Sequence, residues 1–323
     1  MKRKIAIAVV ALSVIGNVLG IICFVNYLKA LGHLKLATQE VSILMNTLSF
    51  AQTARVVGDL ASPEKVERRA FISHYDSEED LFAVEPVALP TKTRDVTLFV
   101  CLHGMGHNCM EPFVMPKDSP LSDAILAKDH SYVVLSPNYR APAAWASDGA
   151  MSDITQSIRI LCAQYPVKRI ILIGSSMGGC VSLSYSALAP ADIRKMIQGV
   201  VCIEGAGDLA ELYHLTHLPT VRITLEQCFG GPPENVAVAY AAKSLMPNIS
   251  SVSPQTRLAI ISARQDKTVP PVLQDTVFNA FRANGHQATL IPVEMEHGWP
   301  SLSIVLQAVD FVLKGEPAPK KGH

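Results

Sequence analysis

The sequence predicts an α/β domain in which a mainly parallel sheet is covered by helices on both faces. From about residue 66 to residue 314, short continuous apolar runs alternate with segments of helical periodicity, which is the order that a parallel sheet requires. Hydrophobic residues make up 49% of the 323 residues and charged residues 17%, so disorder over most of the chain is excluded. Basic and acidic residues number 28 each, and no basic excess indicates nucleic-acid binding.

An N-terminal membrane segment is predicted to precede this domain. Residues 2–4 are Lys-Arg-Lys, and the apolar run at residues 5–28 is about 24 residues long, enough to cross a hydrocarbon core roughly 30 Å thick. The basic flank favours a cytoplasmic N-terminus, with the rest of the chain on the non-cytoplasmic side. The alternative is a cleaved signal peptide of a secreted or periplasmic protein, but residues 18–20 form a poor cleavage site and the run continues beyond them.

Residues 29–65 are predicted to form a helical stem. Apolar residues recur at spacings of three and four between residues 34 and 51, a heptad pattern that lasts fewer than about three heptads. A stem packed on the folded domain that follows is therefore favoured over a dimerising coiled coil, and the oligomeric state stays open.

The α/β domain is predicted over residues 66–314, followed by a flexible tail at residues 315–323. Residues 69–75 and 81–89 flank a polar turn and predict a β-hairpin. Buried strands are predicted at residues 96–102, 132–135, 169–173, 199–203, 258–262 and 289–293. Helices are predicted around residues 121–128, 150–165, 177–188, 272–284 and 301–313.

The most informative motif is Gly174-Ser175-Ser176-Met177-Gly178, which lies between a predicted strand and a predicted helix. A serine nucleophile at such a sharp turn needs glycines two residues before and two residues after it, so that the neighbouring backbone can approach closely. Only Ser176 has glycines at both positions. It is therefore predicted to be the nucleophile, and the alternative is a glycine-rich turn without chemistry.

An oxyanion hole is expected from the amide of Met177 and from the loop after the strand at residues 96–102. In that loop Met105 is the first choice as the second donor, followed by Gly104, and His103 is expected to be a buried residue that shapes the turn. A metal site formed by loop histidines and Cys109 is not favoured, because no carboxylate is suitably spaced.

The acid and the histidine of a catalytic triad are predicted at the ends of the last two strands. Asp266 follows the strand at residues 258–262, and His297 follows the next strand with Gly298 beside it. The histidine must carry a proton and the carboxylate must fix its tautomer. Asp208 and Glu296 are the rival acids.

These motifs resemble the α/β-hydrolase superfamily, and more narrowly the esterase branch related to the catalytic domain of prolyl oligopeptidases. The resemblance implies an eight-stranded α/β-hydrolase sheet over roughly residues 66–314 and a serine hydrolase using Ser176, Asp266 and His297. It departs from the pattern at Met105-Gly106, where two further glycines would be expected. The motifs that carry it are His103-Gly104, Gly174-Ser175-Ser176-Met177-Gly178-Gly179, Asp266-Lys267-Thr268-Val269-Pro270 and His297-Gly298.

The predicted function is hydrolysis of a small-molecule carboxylic ester through an acyl-enzyme, without a metal or an organic cofactor. A peptidase, a thioesterase and a catalytically silent membrane-anchored scaffold are the alternatives. A cap-like insertion around residues 205–252 is expected to contact substrate, and Trp145, Trp299 and Met105 line the pocket or pack in the core. Cys109 and Cys228 are expected to be free thiols, with a pairing between them as the alternative.

Overall fold

The structure is a computed structural model that describes Lys29 and residues 66–85, 95–117, 119–140 and 143–314. The predicted membrane segment at residues 1–28, the tail at residues 315–323 and, apart from Lys29, the stem at residues 29–65 lie outside the described residues. Among the helices that the structure describes, none is both long enough and apolar enough to cross a membrane.

The described domain is built around one eight-stranded sheet. Its strands are β1 (Glu67–Ile72), β2 (Glu79–Glu85), β3 (Val96–Leu102), β4 (Tyr132–Pro137), β5 (Val167–Ser175), β6 (Ile197–Ile203), β7 (Arg257–Ala263) and β8 (Ala288–Val293). Their order is β1-β2-β4-β3-β5-β6-β7-β8. Pairings from β4 to β8 are parallel, whereas β1 and β2 form an antiparallel hairpin that joins the sheet beside β4. The predicted α/β class and eight-stranded sheet are confirmed.

Helices connect the parallel strands and cover both faces of the sheet. They are α1 (Leu121–Leu126), α2 (Asp148–Gln164), α3 (Met177–Leu188), α4 (Ala191–Arg194), α5 (Leu209–Leu215), α6 (Pro219–Phe229), α7 (Pro233–Lys243), α8 (Pro271–Ala283) and α9 (Leu302–Lys314). Short 3₁₀ turns lie at Glu111–Phe113 and Met246–Ser251. The predicted insertion between β6 and β7 therefore consists of α5, α6, α7 and the second of these turns.

The core lies on both faces of the sheet, which explains why the strands are continuously apolar. Along β3, Leu98 and Val100 belong to one buried cluster, and Phe99 and Cys101 belong to the cluster on the opposite face. Burial of each large apolar side chain contributes roughly 1.5–3 kcal/mol. A polar substitution at any of these positions would therefore meet a packed helix layer on whichever face it pointed to.

The parallel register brings the carboxyl ends of β5 to β8 to one edge of the sheet. Ser175 at the end of β5 pairs with Ile203 at the end of β6, and Ile203 pairs with Ile261 near the end of β7. Ala263 of β7 pairs with Val293, the last residue of β8. The residues that follow these four strands therefore meet above the same edge, although they are far apart in the sequence.

Candidate active site

Ser176 occupies a strained turn between β5 and α3. Its φ of 55° and ψ of −118° are unfavourable for a residue with a side chain and cost about 1–3 kcal/mol. A Cβ atom on Gly174 would lie 2.1 Å from the carbonyl oxygen of Gly178, and one on Gly178 would lie 1.9 Å from that of Leu102. Both positions therefore exclude any side chain, for the spatial reason that the motif predicted, and the hydroxyl of Ser176 is held above the sheet edge.

The structure brings Ser176, His297 and Asp266 into one hydrogen-bonded chain. His297 Nε2 lies 2.9 Å from Ser176 Oγ, and His297 Nδ1 lies 2.7 Å from Asp266 Oδ2. The other oxygen of the buried Asp266 accepts the backbone N–H groups of Thr268 and Val269 at 2.7 and 2.9 Å. These bonds fix the carboxylate, so that Nδ1–H points to it and Nε2 can accept the serine proton.

The two rival acids lie elsewhere. Asp208 caps the N-terminus of α5, where its Oδ1 accepts the N–H groups of Ala210 and Glu211 at 2.9 and 3.1 Å. Glu296 is exposed, although it precedes His297 in the sequence.

Sequence reasoning missed a second carboxylate at the histidine. Glu204 follows β6 directly and is fully buried, and its Oε2 lies 3.0 Å from His297 Nδ1. The same oxygen accepts the N–H of Gly298 at 2.8 Å. A signal was available, because Glu204 stands one residue after β6 just as Ser176 stands one residue after β5.

Burial alone would lower the pKa of His297, since it disfavours the imidazolium. Hydrogen bonds and charges from Asp266 and Glu204 outweigh that effect and raise the pKa to about 9. Burial has the opposite consequence for Glu204, whose pKa it raises above the ordinary value. The titrations of His297 and Glu204 are therefore coupled to each other.

In the loop after β3, the backbone N–H of Met105 is available to a ligand, whereas that of Gly104 is not. The N–H of Gly104 donates to Glu111 Oε2 at 2.8 Å and is therefore engaged. The N–H of Met105 makes no hydrogen bond within the described residues, and Met177 opens α3, where first-turn N–H groups have no acceptor inside the helix. Gly104 thus has a supporting position, and Glu111 is a residue that sequence reasoning did not identify.

His103 shapes this loop from its buried position. Its two ring nitrogens lie 2.9 Å from the carbonyl oxygens of Gly104 and Asn138, and its ring stacks on that of Tyr139 at 4.3 Å. The hydroxyl of Tyr139 donates to the backbone carbonyl of His103 at 2.5 Å. The loop is therefore held to the segment that follows β4.

The cap contacts the oxyanion loop through α6. Thr224 Oγ lies 3.0 Å from Trp145 Nε1, which donates to it, and 3.5 Å from Met105 Sδ. A cavity of about 940 Å³ opens between the cap and the segment at residues 143–149. Cys228 and Phe229 line it, whereas the triad, both tryptophans and Met105 do not.

The carboxylates and the imidazole around Ser176 also form a group of potential metal ligands among the described residues. One atom each from Glu204, Asp266 and His297 lies within 4.8 Å of the others. Because both nitrogens of His297 already face hydrogen-bonding partners, the arrangement fits a triad better than a set of metal ligands.

Cys109 and Cys228 are both free.

Residues 97–218 match the model of a family described as the alpha/beta hydrolase fold. The match includes β3, the elbow at Ser176 and the start of the cap, and the sheet order agrees with it. The chain has the α/β-hydrolase fold. No curated protein matches the chain in sequence.

Solved structures with this α/β-hydrolase fold include three peptidases. The acylaminoacyl peptidase of Pyrococcus horikoshii gives a TM-score of 0.61 at 13% identity, covering 82% of this chain and 45% of that chain. A Mycobacterium tuberculosis puromycin-hydrolyzing peptidase gives 0.61 at 16% identity, covering 78% and 40%. A prolyl endopeptidase gives 0.60 at 18% identity, covering 78% and 39%. The chain spans less than half the length of these proteins, and at such identities the likeness shows the fold.

Proposed function

We propose that the protein is a serine hydrolase that cleaves a carboxylic acyl bond through an acyl-enzyme on Ser176. The observation that carries the proposal is the hydrogen-bonded chain from Ser176 through His297 to Asp266, at 2.9 and 2.7 Å. Ser176 also has the strained backbone of a nucleophile elbow. A catalytically silent scaffold would require neither feature.

In the proposed mechanism, Ser176 Oγ attacks the carbonyl carbon of the substrate as its proton passes to His297 Nε2. The carbonyl oxygen becomes an oxyanion, stabilised by the amides of Met177 and Met105. His297 then gives the proton to the leaving group, whose bond to the carbonyl carbon breaks. Water repeats the sequence on the acyl-enzyme, so that the acid is released and Ser176 recovers its proton.

The leaving group is proposed to be an amine, which makes the protein a peptidase or amidase. The support is that the solved structures named above are peptidases, which favours this alternative over the predicted carboxylesterase. Ester hydrolysis follows from the same residues, since an alkoxide leaves more easily than an amine. The ester remains the second candidate, because the triad geometry serves both bonds.

A fluorophosphonate probe tests the nucleophile. We expect a single label on Ser176 in the full chain, mapped by peptide mass spectrometry. Ser176→Ala should abolish labelling, and Ser175→Ala should retain it as the matched control. Absence of labelling in the folded wild-type chain, or a label on Ser175, contradicts the proposal.

Matched substrates test the leaving group. Each pair has one acyl group joined to an amine in one member and to an alcohol or a thiol in the other, so kcat/KM isolates the leaving group. We expect measurable amide hydrolysis that is lost in Ser176→Ala. Turnover confined to esters or thioesters would return the assignment to an esterase or a thioesterase.

A further inference from the structure

Glu204 has a strained backbone conformation that places its carboxylate beside His297. Its φ is 54°, in the left-handed region that side chains other than glycine rarely adopt. Its own N–H donates to Ile261 of β7 at 3.0 Å, and the carbonyl of the preceding Ile203 accepts the N–H of Ser176 at 2.8 Å. Glu204 is therefore fixed directly between the nucleophile strand and the strand that leads to Asp266.

The carboxylates of Glu204 and Asp266 converge on a single imidazole nitrogen. Glu204 Oε2 lies 3.0 Å and Asp266 Oδ2 lies 2.7 Å from His297 Nδ1, which has one proton to donate. Asp266 has two backbone N–H donors on its other oxygen. Glu204 has the N–H of Gly298 on Oε2, while its buried Oε1 has no partner within the described residues.

Because only the N–H of Gly298 and the ring of His297 face the Glu204 carboxylate among the described residues, the imidazole is the main group that can balance its charge. A buried carboxylate without such balance is costly. The contact with Gly298 also ties Glu204 to the residue after His297, so that one side chain restrains both the ring and the loop that carries it.

We propose that Glu204 is a second acid of the triad, a positioning residue that shares the Nδ1–H of His297 with Asp266 and anchors the histidine loop through Gly298. This inference rests on the proposed serine-hydrolase function. It implies that His297 keeps a carboxylate on Nδ1 when either acid alone is removed.

The charges around His297 support this assignment. The groups that face His297 are Glu204 after β6, Asp266 after β7 and Ser176 after β5. The thiols of Cys180 and Cys202 lie near Asp266 and Glu204, respectively. Burial raises the pKa of both thiols, so both thiols are uncharged at neutral pH. Glu294, Glu296 and Lys267 are exposed on the neighbouring loops. Two carboxylates therefore act on one imidazole, and removing either charge should lower the pKa of His297 from about 9.

The test compares pH profiles of kcat/KM on one ester, with the rate of fluorophosphonate labelling as a second readout. The general base must be unprotonated, so the wild-type rate should rise with pH towards about 9. Glu204→Gln keeps an oxygen acceptor for Gly298 but removes a charge, and should move the acid limb about one pH unit lower while kcat on the plateau stays within about tenfold. Glu296→Gln removes an exposed charge beside His297 and should leave the limb in place.

The second arm removes the other acid. In a serine-protease triad with a single acid, an amide in place of the aspartate lowers kcat about 10⁴-fold. With Glu204 still on Nδ1, Asp266→Asn should lose only about 10- to 10²-fold, and Asp266→Asn with Glu204→Gln should approach the full loss. If Glu204→Gln does not fold, Asp266→Asn alone decides the matter, because it leaves Glu204 intact and a loss near 10⁴-fold would show that Glu204 does not support Nδ1.

An acid limb that stays in place in Glu204→Gln overturns the proposal, as does Asp266→Asn alone falling to the level of the double variant. These outcomes differ from failure of the proposed function. If the folded wild-type chain neither hydrolyses acyl substrates nor labels on Ser176, the serine-hydrolase assignment itself fails. If it labels and turns over but the variants behave as just described, only the role of Glu204 fails.

Discussion

Replacing Gly178 with alanine tests whether the elbow requires glycine for reasons of space. A Cβ atom there would lie 1.9 Å from the carbonyl oxygen of Leu102 and 2.7 Å from that of His103. Real Cβ atoms essentially never approach closer than 3.0 Å, so α3 and the end of β3 must separate by about 1 Å. The obstructing atoms are backbone, and no side-chain rotation can relieve the clash.

The expected cost of Gly178→Ala follows from that displacement. Overpacking in a core costs typically about 1–3 kcal/mol, and we expect the upper end because two backbone segments must move. For a domain of about 250 residues this lowers Tm by roughly 6–12 °C. Leu102 leads directly into the oxyanion loop, where a misplacement of about 1 Å should lower kcat about 10²-fold.

Gly104→Ala is the matched control, because a Cβ atom on Gly104 would meet its nearest atoms at 3.5 and 3.6 Å, an ordinary contact distance. We expect a change of less than about 1 kcal/mol in the free energy of unfolding and a labelling rate within about tenfold of wild type. Thermal unfolding followed by circular dichroism and the rate of fluorophosphonate labelling measure both effects. Wild-type behaviour of Gly178→Ala, or equal damage from Gly104→Ala, would refute the reasoning.

Three further predictions concern the cap and the N-terminus. Asp208→Ala should lower the free energy of unfolding by about 1 kcal/mol, because α5 loses its N-cap, whereas Asp208→Asn should keep both the N-cap and turnover. Urea unfolding and ester kinetics measure these effects, and collapse of turnover in Asp208→Asn would contradict the prediction. Thr224→Val should cost about 1–3 kcal/mol in thermal unfolding because the buried indole N–H of Trp145 loses its acceptor, and Thr224→Ser should cost less. The full chain should sediment with membranes and resist alkaline carbonate, because residues 5–28 are predicted to span; a soluble mature protein that begins near Ile21 would indicate a cleaved signal instead.

The central strands and the helix after the elbow were predictable because each is bounded by a sharp change of pattern. The hairpin strands predicted at residues 69–75 and 81–89 are instead observed at Glu67–Ile72 and Glu79–Glu85. The buried run at residues 96–102 matches β3 at both ends, and the predicted helix at residues 177–188 matches α3. In both cases a continuous apolar segment on a two-faced sheet leaves no ambiguity about where burial begins and ends. Predicted β4 stops at Leu135, two residues short of the observed end, because Ser136 and Pro137 carry no apolar signal although they are buried.

The carboxylates of the site were harder to predict, because their roles depend on partners far along the chain. Glu204 is bonded to Gly298, 94 positions away, and Glu111 to Trp299, 188 positions away. A sequence pattern indicates which residues end a strand, but not which of several acids turns inward there. Asp208 follows the same strand as Glu204, four residues further on, and instead caps a helix.

Glu111 joins the two loops that the proposed chemistry needs. Its buried carboxylate accepts the N–H of Gly104 at 2.8 Å on one oxygen, and faces His107 Nδ1 at 2.6 Å and Trp299 Nε1 at 3.0 Å on the other. Trp299 stands two residues after His297. One side chain therefore fixes the loop of Gly104 and Met105 relative to the loop of His297 and Trp299.

Glu111→Gln should disturb both loops, because an amide has one acceptor oxygen and one N–H₂ group, and either orientation makes a donor face a donor. We expect a loss of about 1–3 kcal/mol in the free energy of unfolding and a fall of roughly 10- to 10²-fold in kcat, with a smaller change in KM. Trp299→Phe removes one donor and should cost less than about tenfold. If Glu111 links the loops, Trp299→Phe should have little further effect in the Glu111→Gln background. Losses in kcat that simply multiply in the double variant would show that the two loops are held independently.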